Sequence, residues 1–416
     1  MSVQIPQILT DNFEQCMKCT ICTMYCPVLR VNPLFPGPKQ AGPDGERFRL
    51  KNPDYYDDSL KFCLNCKQCE VACPSGVRIG DIIQIARYRY GRNHFSLRNY
   101  FLSSTDLVGT LAGKVSSLSN SLLSKDLTKL ALDCVLGVSR QRKFPPYASE
   151  TFEHWFCKMC QESQDAYPRQ VAYFHGCYVN YNFPQLGRQT VEVLNALGVG
   201  VRLLDKECCC GLPQISNGFY RNARKQGQKN LTSIREALDG GCERVLATSS
   251  SCCFTLRDEY PHVLLLDNQD VRDSVDLVTR YIFRLLEKGD VKVAFREGYS
   301  ASLCYHRPCH LRRMGWEVYT VKLLEMIPGL RLKVLKPMCC GISGTYGFKK
   351  ENYALSQEVG SELFSQIEAT DCQAVCTDCE TCKWQIEMST TKKVLHPLSV
   401  LYEALDLEKT RKLNCS

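Results

Sequence analysis

Apolar residues in the second half of the chain come in short runs separated by longer stretches of helical spacing. "VAYF" (171–174), "VRLL" (201–204) and "RVLAT" (244–248) are four or five residues long, as expected of short buried strands. Between them, "LGRQTVEVLNALG" (186–198) and residues 219–238 place apolar side chains three and four apart, on one face of a helix. The same order then repeats as "SLCY" (302–305), "YTVKLLEMI" (319–327), "LKVL" (332–335), a helical stretch over 349–368, and "AVCT" (374–377). Strands alternating with helices predict parallel sheets with right-handed crossovers. The expected fold class is α+β and multidomain, a helical N-terminal region followed by two duplicated α/β modules. Boundaries are expected at 1–95, 96–168, 169–296 and 297–405, with a tail over 406–416.

The repeat is an internal duplication. Cys177 and Cys309 are 132 apart; Cys209 and Cys339, Cys210 and Cys340, Gly211 and Gly341, and Cys252 and Cys382 are each 130 apart. Every one of these cysteines follows a predicted strand. In an open α/β sheet that is the carboxyl edge, where ligands bind. One rim should therefore carry Cys177, Cys209, Cys210 and Cys252, and the other Cys309, Cys339, Cys340, Cys379 and Cys382. Glycine at 211 and 341 would permit a left-handed turn and a close backbone approach to a bound group.

Composition sharpens this picture. The chain has 416 residues and 27 cysteines, an odd number, mostly in tight groups. Its first residues, "MSVQIPQILTDNFEQ", have no signal-peptide pattern. A long chain of this kind is expected to hold metal in a reducing compartment, hence the cytoplasm, and not to be a disulfide scaffold.

Two runs specify the metal chemistry. "CMKCTICTMYCP" supplies Cys16, Cys19, Cys22 and Cys26; "CLNCKQCEVACP" supplies Cys63, Cys66, Cys69 and Cys73. Both are C-x2-C-x2-C-x3-C-P. Three thiolates at this spacing wrap a loop around a [4Fe-4S] cluster, and the fourth reaches the other cluster of a pair. One set is then Cys16, Cys19, Cys22 and Cys73, and the other Cys63, Cys66, Cys69 and Cys26. The Pro- and Gly-rich spacer between the runs resembles that of the helical ferredoxin domain of succinate dehydrogenase-type iron proteins.

In the second module, five cysteines exceed what a cubane cluster takes. The pattern resembles the CCG domain found in the B component of heterodisulfide reductase and in related quinone-linked proteins, which implies a non-cubane cluster. The first module departs from it: Ser249 stands where the second has Cys379, so an altered or absent cluster is expected there. Cys208 and Cys253 are out of register. Cys134 and Cys242 are expected to be small core residues, and Cys157 and Cys160 form no complete site. His175, His306 and His310 flank the module cysteines and are expected to form structural hydrogen bonds.

No G-x-G-x-x-G follows a strand and no phosphate-binding loop is present, so no flavin, nicotinamide or nucleotide site is expected. Electrons must come from a partner and leave to an acceptor. The net charge of +8 accompanies no nucleic-acid module, so no nucleic-acid partner is expected, though it suits an anionic membrane leaflet. No run is long and apolar enough to span a membrane. Phe101, Val108, Leu111, Val115, Leu118 and Leu122 fall on one face of a helix. The pattern alone fits a helix packing on the chain's own domains, or, with Lys114, Lys125, Lys129, Arg140, Arg142 and Lys143, a basic amphipathic surface at a membrane interface.

The chain as a whole resembles the family of iron–sulfur electron-transfer subunits of anaerobic glycerol-3-phosphate dehydrogenases. The resemblance runs from "CMKCTICTMYCPVLRVNP" through "PGPKQAGPDGERFRLK", "SLRNYFLSSTDL", "FHGCYVNYNFPQLG" and "ATSSSC" to "GTYGFKKENY" and "TDCETCKWQIEMST". It implies an electron-transfer component, peripheral at the cytoplasmic face of the inner membrane, that links the two flavoprotein subunits (A and B) of the dehydrogenase to menaquinone. It also implies that the "TSSS" spelling is normal for the family. A heterodisulfide reductase-like enzyme acting on a thiol or disulfide substrate is the alternative reading of the cysteine pattern.

Overall fold

The computed structural model describes residues 12–91 and 96–414; the start of the stretch read above as lacking a signal peptide lies outside them. Two four-stranded sheets, parallel throughout, form the second half. The first contains β1 (Arg169–Phe174), β2 (Val199–Leu203), β3 (Val245–Ala247) and β4 (Val275–Leu277) in the order β2-β1-β3-β4. The second contains β5 (Ala301–Tyr305), β6 (Leu330–Val334), β7 (Ala374–Cys376) and β8 (Lys393–Leu395) in the order β6-β5-β7-β8. The six expected strands are present, and each sheet gains a fourth three-residue strand that periodicity is too short to reveal.

Register fixes how the two copies correspond. Tyr173 pairs with Leu246 at the centre of the first sheet, and Tyr305 pairs with Cys376 at the centre of the second. Tyr173 therefore corresponds to Tyr305, Phe174 to His306 and Cys177 to Cys309.

Strand alternation divides the core in two. Val171 and Tyr173 of the first sheet and Leu303 and Tyr305 of the second share one buried apolar cluster, with helices Pro184–Ala196, Val278–Lys288 and Pro397–Ala404 between them. Ala172 and Phe174 face the other way, into a cluster containing Cys209 and Cys210. Cys304 likewise faces a cluster with Cys340, Cys379 and Cys382. Burying side chains of this size contributes roughly 1.5–3 kcal/mol each, so the shared core holds the modules together.

The N-terminal region is built from short helices around the two cysteine runs. Both loops use left-handed backbone at the same two places: Lys18 (φ 62) and Thr20 (φ 64) in the first, Asn65 (φ 52) and Lys67 (φ 59) in the second. Such conformations are uncommon outside glycine and cost on the order of 1 kcal/mol or more each. Here they curl each loop around its thiols.

The expected helix over 101–122 is three short ones, Leu97–Ser103, Thr105–Lys114 and Ser116–Ser124, followed by a fourth, Asp126–Ala131. The chain leaves helical geometry at Ser104 (φ −89, ψ 56) and Val115 (φ −127, ψ 43), so the apolar spacing crosses two breaks. Phe101, Leu111, Val115, Leu118 and Leu122 are exposed all the same. Arg142 does not add charge to this surface: it is buried, donating to Gly347 O (2.5 Å), Ser356 Oγ (3.1 Å) and Gln385 Oε1. Cys134, expected in a core, is exposed, whereas Cys242 is buried. The segment expected as a tail carries a helix, Leu407–Asn414, whose Asn414 side chain donates to Lys292 O (2.7 Å) and Ala196 O (3.3 Å).

Candidate functional site

The cysteines of the two N-terminal runs exchange their last members. Burial pushes the Cys22 thiol up, the Thr23 hydroxyl pulls it down, and Cys73, Cys16 and Cys19 are the neighbouring thiols that raise it further. A cavity of about 20 Å³ is lined by Cys63, Cys66, Cys69 and Cys26. Each triplet thus meets the fourth cysteine of the other run. Pro27 starts the Pro27–Val31 helix directly after Cys26, where its fixed φ suits the first helical position.

The second module gathers its five cysteines. They all line a second cavity of about 60 Å³, together with Leu212, Ile342 and His310. Cys340 Sγ lies 3.3 Å from Cys382 Sγ, and the Gly341 N–H donates to Cys339 Sγ (3.4 Å). Cys66, from the N-terminal region, lines this cavity as well as the smaller one. Hydrogen bonding from Cys339 lowers the Cys66 pKa, against the effect of burial.

In the first module Cys177, Cys209, Cys210 and Cys252 are neighbours in that order, each thiol perturbing the titration of the next. Cys208 is apart from them: its N–H donates to Asn230 Oδ1 (2.8 Å) and its sulfur lies near Lys206 O (3.7 Å). Cys253 is fully buried in the apolar cluster behind. Ser249 caps the following helix, its Oγ accepting from the Cys252 N–H at 3.3 Å.

Other groups at these sites were not evident from sequence. Asp106, on the Thr105–Lys114 helix, accepts from the Cys209 N–H (2.8 Å); burial and the Cys209 thiolate push its carboxyl up to about 7. Ser251, from the first module, lies 3.6 Å from Cys379 Sγ in the second and 3.2 Å from His310 Nδ1. His310 Nε2 faces Asn65 O at 3.3 Å. A carbonyl only accepts, so Nε2 carries the hydrogen and Nδ1 accepts from Ser251. No sequence pattern joins these groups, because they come from separate segments.

The three histidines differ. His175 lies against Glu207 (3.2 Å) and Gly176 O (3.1 Å), and His310 is bonded as above. His306 is fully buried and neither ring nitrogen has a partner. Burial lowers its pKa to about 4, and Cys340 opposes that effect as its foremost charged neighbour. The ring is therefore neutral near pH 7.

Gly341 (φ +83) and Gly211 (φ +93) are left-handed, as expected. A Cβ on Gly341 would fall 2.0 Å from Ser356 O, so the side on which glycine is needed faces the Tyr353–Glu368 helix. A Cβ on Gly211 would sit 3.5 Å from Ala223 Cβ, also on a helix.

Among the described residues, no three Cys, His, Asp or Glu side chains converge on the position of a single metal ion. The thiols instead border cavities with apolar walls. A polynuclear cluster, bound through several corners, suits that donor set, and soft thiolates select iron–sulfur chemistry. Four cysteines per ferredoxin-type site, all buried or half-buried except the exposed Cys19, and five at the second module fit the group.

The family described as "4Fe-4S dicluster domain" matches residues 12–77, and that described as "Cysteine-rich domain" (CCG) matches 171–257 and again 303–387. The C component of the anaerobic glycerol-3-phosphate dehydrogenase of Escherichia coli (strain K12) is 53% identical over 95% of this chain and 99% of its own length. An uncharacterised iron–sulfur protein of Methanocaldococcus jannaschii is 26% identical, covering 94% of this chain and 71% of its own. The B component of a fumarate reductase (CoM/CoB) of Methanothermobacter marburgensis is 25% identical, covering 96% and 73%.

Proposed function

This chain belongs to the family of iron–sulfur C components of anaerobic glycerol-3-phosphate dehydrogenases, and from that premise we propose that it carries electrons from flavin-bearing partner subunits to menaquinone at the cytoplasmic face of a membrane. The observation that carries the reading is the position of Cys66, which borders both the cavity of Cys26, Cys63 and Cys69 and that of the five second-module cysteines.

In this reading Cys16, Cys19, Cys22 and Cys73 hold one [4Fe-4S] cluster and Cys26, Cys63, Cys66 and Cys69 another. Cys309, Cys339, Cys340, Cys379 and Cys382 hold a third, non-cubane one, and Cys177, Cys209, Cys210 and Cys252 a fourth, altered site. Bound clusters supply one-electron carriers whose potentials respond to burial and to hydrogen bonds at sulfur. The protein's part is to fix spacing and exclude water. Leu64 walls both the smaller and the larger cavity, and Ile342 the larger. Lys67, beside Cys66, ties the loop to Glu259 of the first module at 3.3 Å. Cys19 is the exposed thiol of its set, which gives a flavin-bearing partner access there.

Membrane contact falls to the 97–135 helices. Leu97, Phe101, Leu107, Leu111, Val115, Leu118, Leu122, Leu127, Leu130 and Val135 are all exposed, with exposed Lys114, Lys125, Arg140 and Lys143 nearby. Among the described residues no helix is long and apolar enough to cross a membrane, so this surface would lie in the interface.

Anaerobic purification followed by iron and sulfide counts and electron paramagnetic resonance tests the assignment. Cys379→Ala should lose the second-module signal and block quinone reduction by the complex, while ferredoxin-type signals survive. A chain free of iron and sulfide, or unchanged spectra in Cys379→Ala, would refute it. Reduction of a disulfide by the isolated chain would favour the catalytic alternative.

A further inference from the structure

The two modules differ at one buried position beside their paired cysteines. Sheet register makes Phe174 and His306 equivalent. Phe174 packs in the apolar cluster that contains Cys209 and Cys210. His306 follows Tyr305 on the strand path, and its N–H extends the ladder to Cys376 O at 2.9 Å. Alternation puts its side chain on the face of Cys304, the face that packs with Cys340, Cys379 and Cys382. Cys340 is indeed the first of its charged neighbours.

A neutral imidazole always carries one N–H and one lone pair. Buried polar groups in folded proteins are nearly always partnered. Yet both nitrogens of His306 lack a partner, on a fully buried ring. The face onto which the ring projects carries the sulfurs of Cys340, Cys379 and Cys382. The same module also keeps the fifth cysteine, Cys379, where the first has Ser249. Histidine and the fifth thiol thus occur together, and phenylalanine and serine occur together.

We propose that the His306 ring N–H donates a hydrogen bond to a sulfur of the cluster held by Cys309, Cys339, Cys340, Cys379 and Cys382. His306 is then a positioning residue that makes this centre easier to reduce. The inference rests on the iron–sulfur reading of the second module. A hydrogen bond to sulfur favours the reduced, more negative state, so the centre has a higher potential with His306 than without it.

The test uses the full chain, purified anaerobically, as wild type, His306→Phe, His306→Gln and Cys379→Ala. Phenylalanine is what the first module already buries at this place, so His306→Phe should fold and keep its iron. The second-module signal is identified as the one lost in Cys379→Ala. In His306→Phe that signal should shift to lower potential in a redox titration and lose an exchangeable proton coupling. The ferredoxin-type signals should stay in place. His306→Gln, which keeps an N–H, should lie nearer the wild type. An unchanged potential and coupling in iron-replete His306→Phe overturns the proposal, as does a larger shift in His306→Gln than in His306→Phe. A strong nitrogen coupling in the wild type that vanishes in His306→Phe also overturns it, because that marks ligation of iron. If Cys379→Ala loses no signal, the iron–sulfur reading of the module fails and takes the proposal with it. An intact signal indifferent to His306 overturns the proposal alone.

Discussion

Lys67 Nζ lies 3.3 Å from Glu259 Oε1, and neither side chain reaches solvent. Glu70 (3.5 Å) and Asp81 complete a ring of carboxylates about the same ammonium. Arg313 of the second module binds Glu70 at 2.9 Å, so three parts of the chain meet at one buried charge cluster. Burial pulls the Lys67 pKa down, but Asp81, Glu259 and Glu70 more than offset it, and the lysine stays charged. Removing it strands buried carboxylates. Lys67→Met should therefore cost about 3–5 kcal/mol, the range for breaking one side of a buried ion pair. Anaerobic guanidinium unfolding measures this; a loss below about 1 kcal/mol would show that the cluster relaxes or hydrates.

Ser249 offers a cleaner separation of roles. If its Oγ only caps the Ser250–Phe254 helix, Ser249→Ala should lower stability by about 1 kcal/mol and leave the iron count unchanged. Loss of iron from the first module in this variant would make the hydroxyl a ligand.

His396 predicts a pH dependence. Its Nδ1 accepts from the Leu398 N–H (3.1 Å), so Nε2 carries the hydrogen given to Thr248 O (3.1 Å), and the ring is held neutral. Burial lowers its folded pKa from 6.5 to about 4. Between those values the unfolded chain binds more protons than the folded one. Stability is thus fully present above the unfolded pKa and is lost as pH falls through the folded one. The contribution is roughly 3 kcal/mol at 1.36 kcal/mol per pH unit. His396→Asn keeps an acceptor for the helix cap. Unfolding midpoints measured from pH 7 to pH 5 should fall less steeply in His396→Asn than in wild type; equal slopes would assign the acid sensitivity elsewhere.

The exposed apolar surface should respond to charge. Leu111→Glu with Leu118→Glu should weaken co-sedimentation with phosphatidylglycerol vesicles by about tenfold or more, since burying each leucine contributes roughly 1.5–3 kcal/mol. Wild-type binding should also weaken as salt screens the nearby lysines. Binding indifferent to both changes would exclude this surface. Arg142→Gln tests the converse point: buried as it is, it should lower stability through its lost contacts to Gly347 and Ser356 without changing the salt dependence.

Much of this architecture was legible in the chain. The apolar runs marked six of the eight strands, and their alternation with helices marked the sheets as parallel, while the C-x2-C-x2-C-x3-C-P spacing gave the exchange of Cys26 and Cys73. Packing between distant segments was not legible. No local pattern brings Cys66 to Cys339, or Asp106 to the Cys209 amide. The apolar spacing over 101–122 crossed Ser104 and Val115 without signalling that the helix breaks there. His306 is an intermediate case: aligning "YFHGC" with "YHRPC" shows histidine against Phe174, but only burial shows that its nitrogens lack partners.

Ser251 sits in one repeat and serves the other, 3.6 Å from Cys379 and 3.2 Å from the His310 ring. Tandem copies usually gain freedom to drift apart, each answerable to its own contacts. Here a substitution at 251 is felt at a thiol in the opposite half. A tolerated change there should be accompanied by one at 310 or 379, and a chain divided between its halves would leave the second cavity without part of its wall.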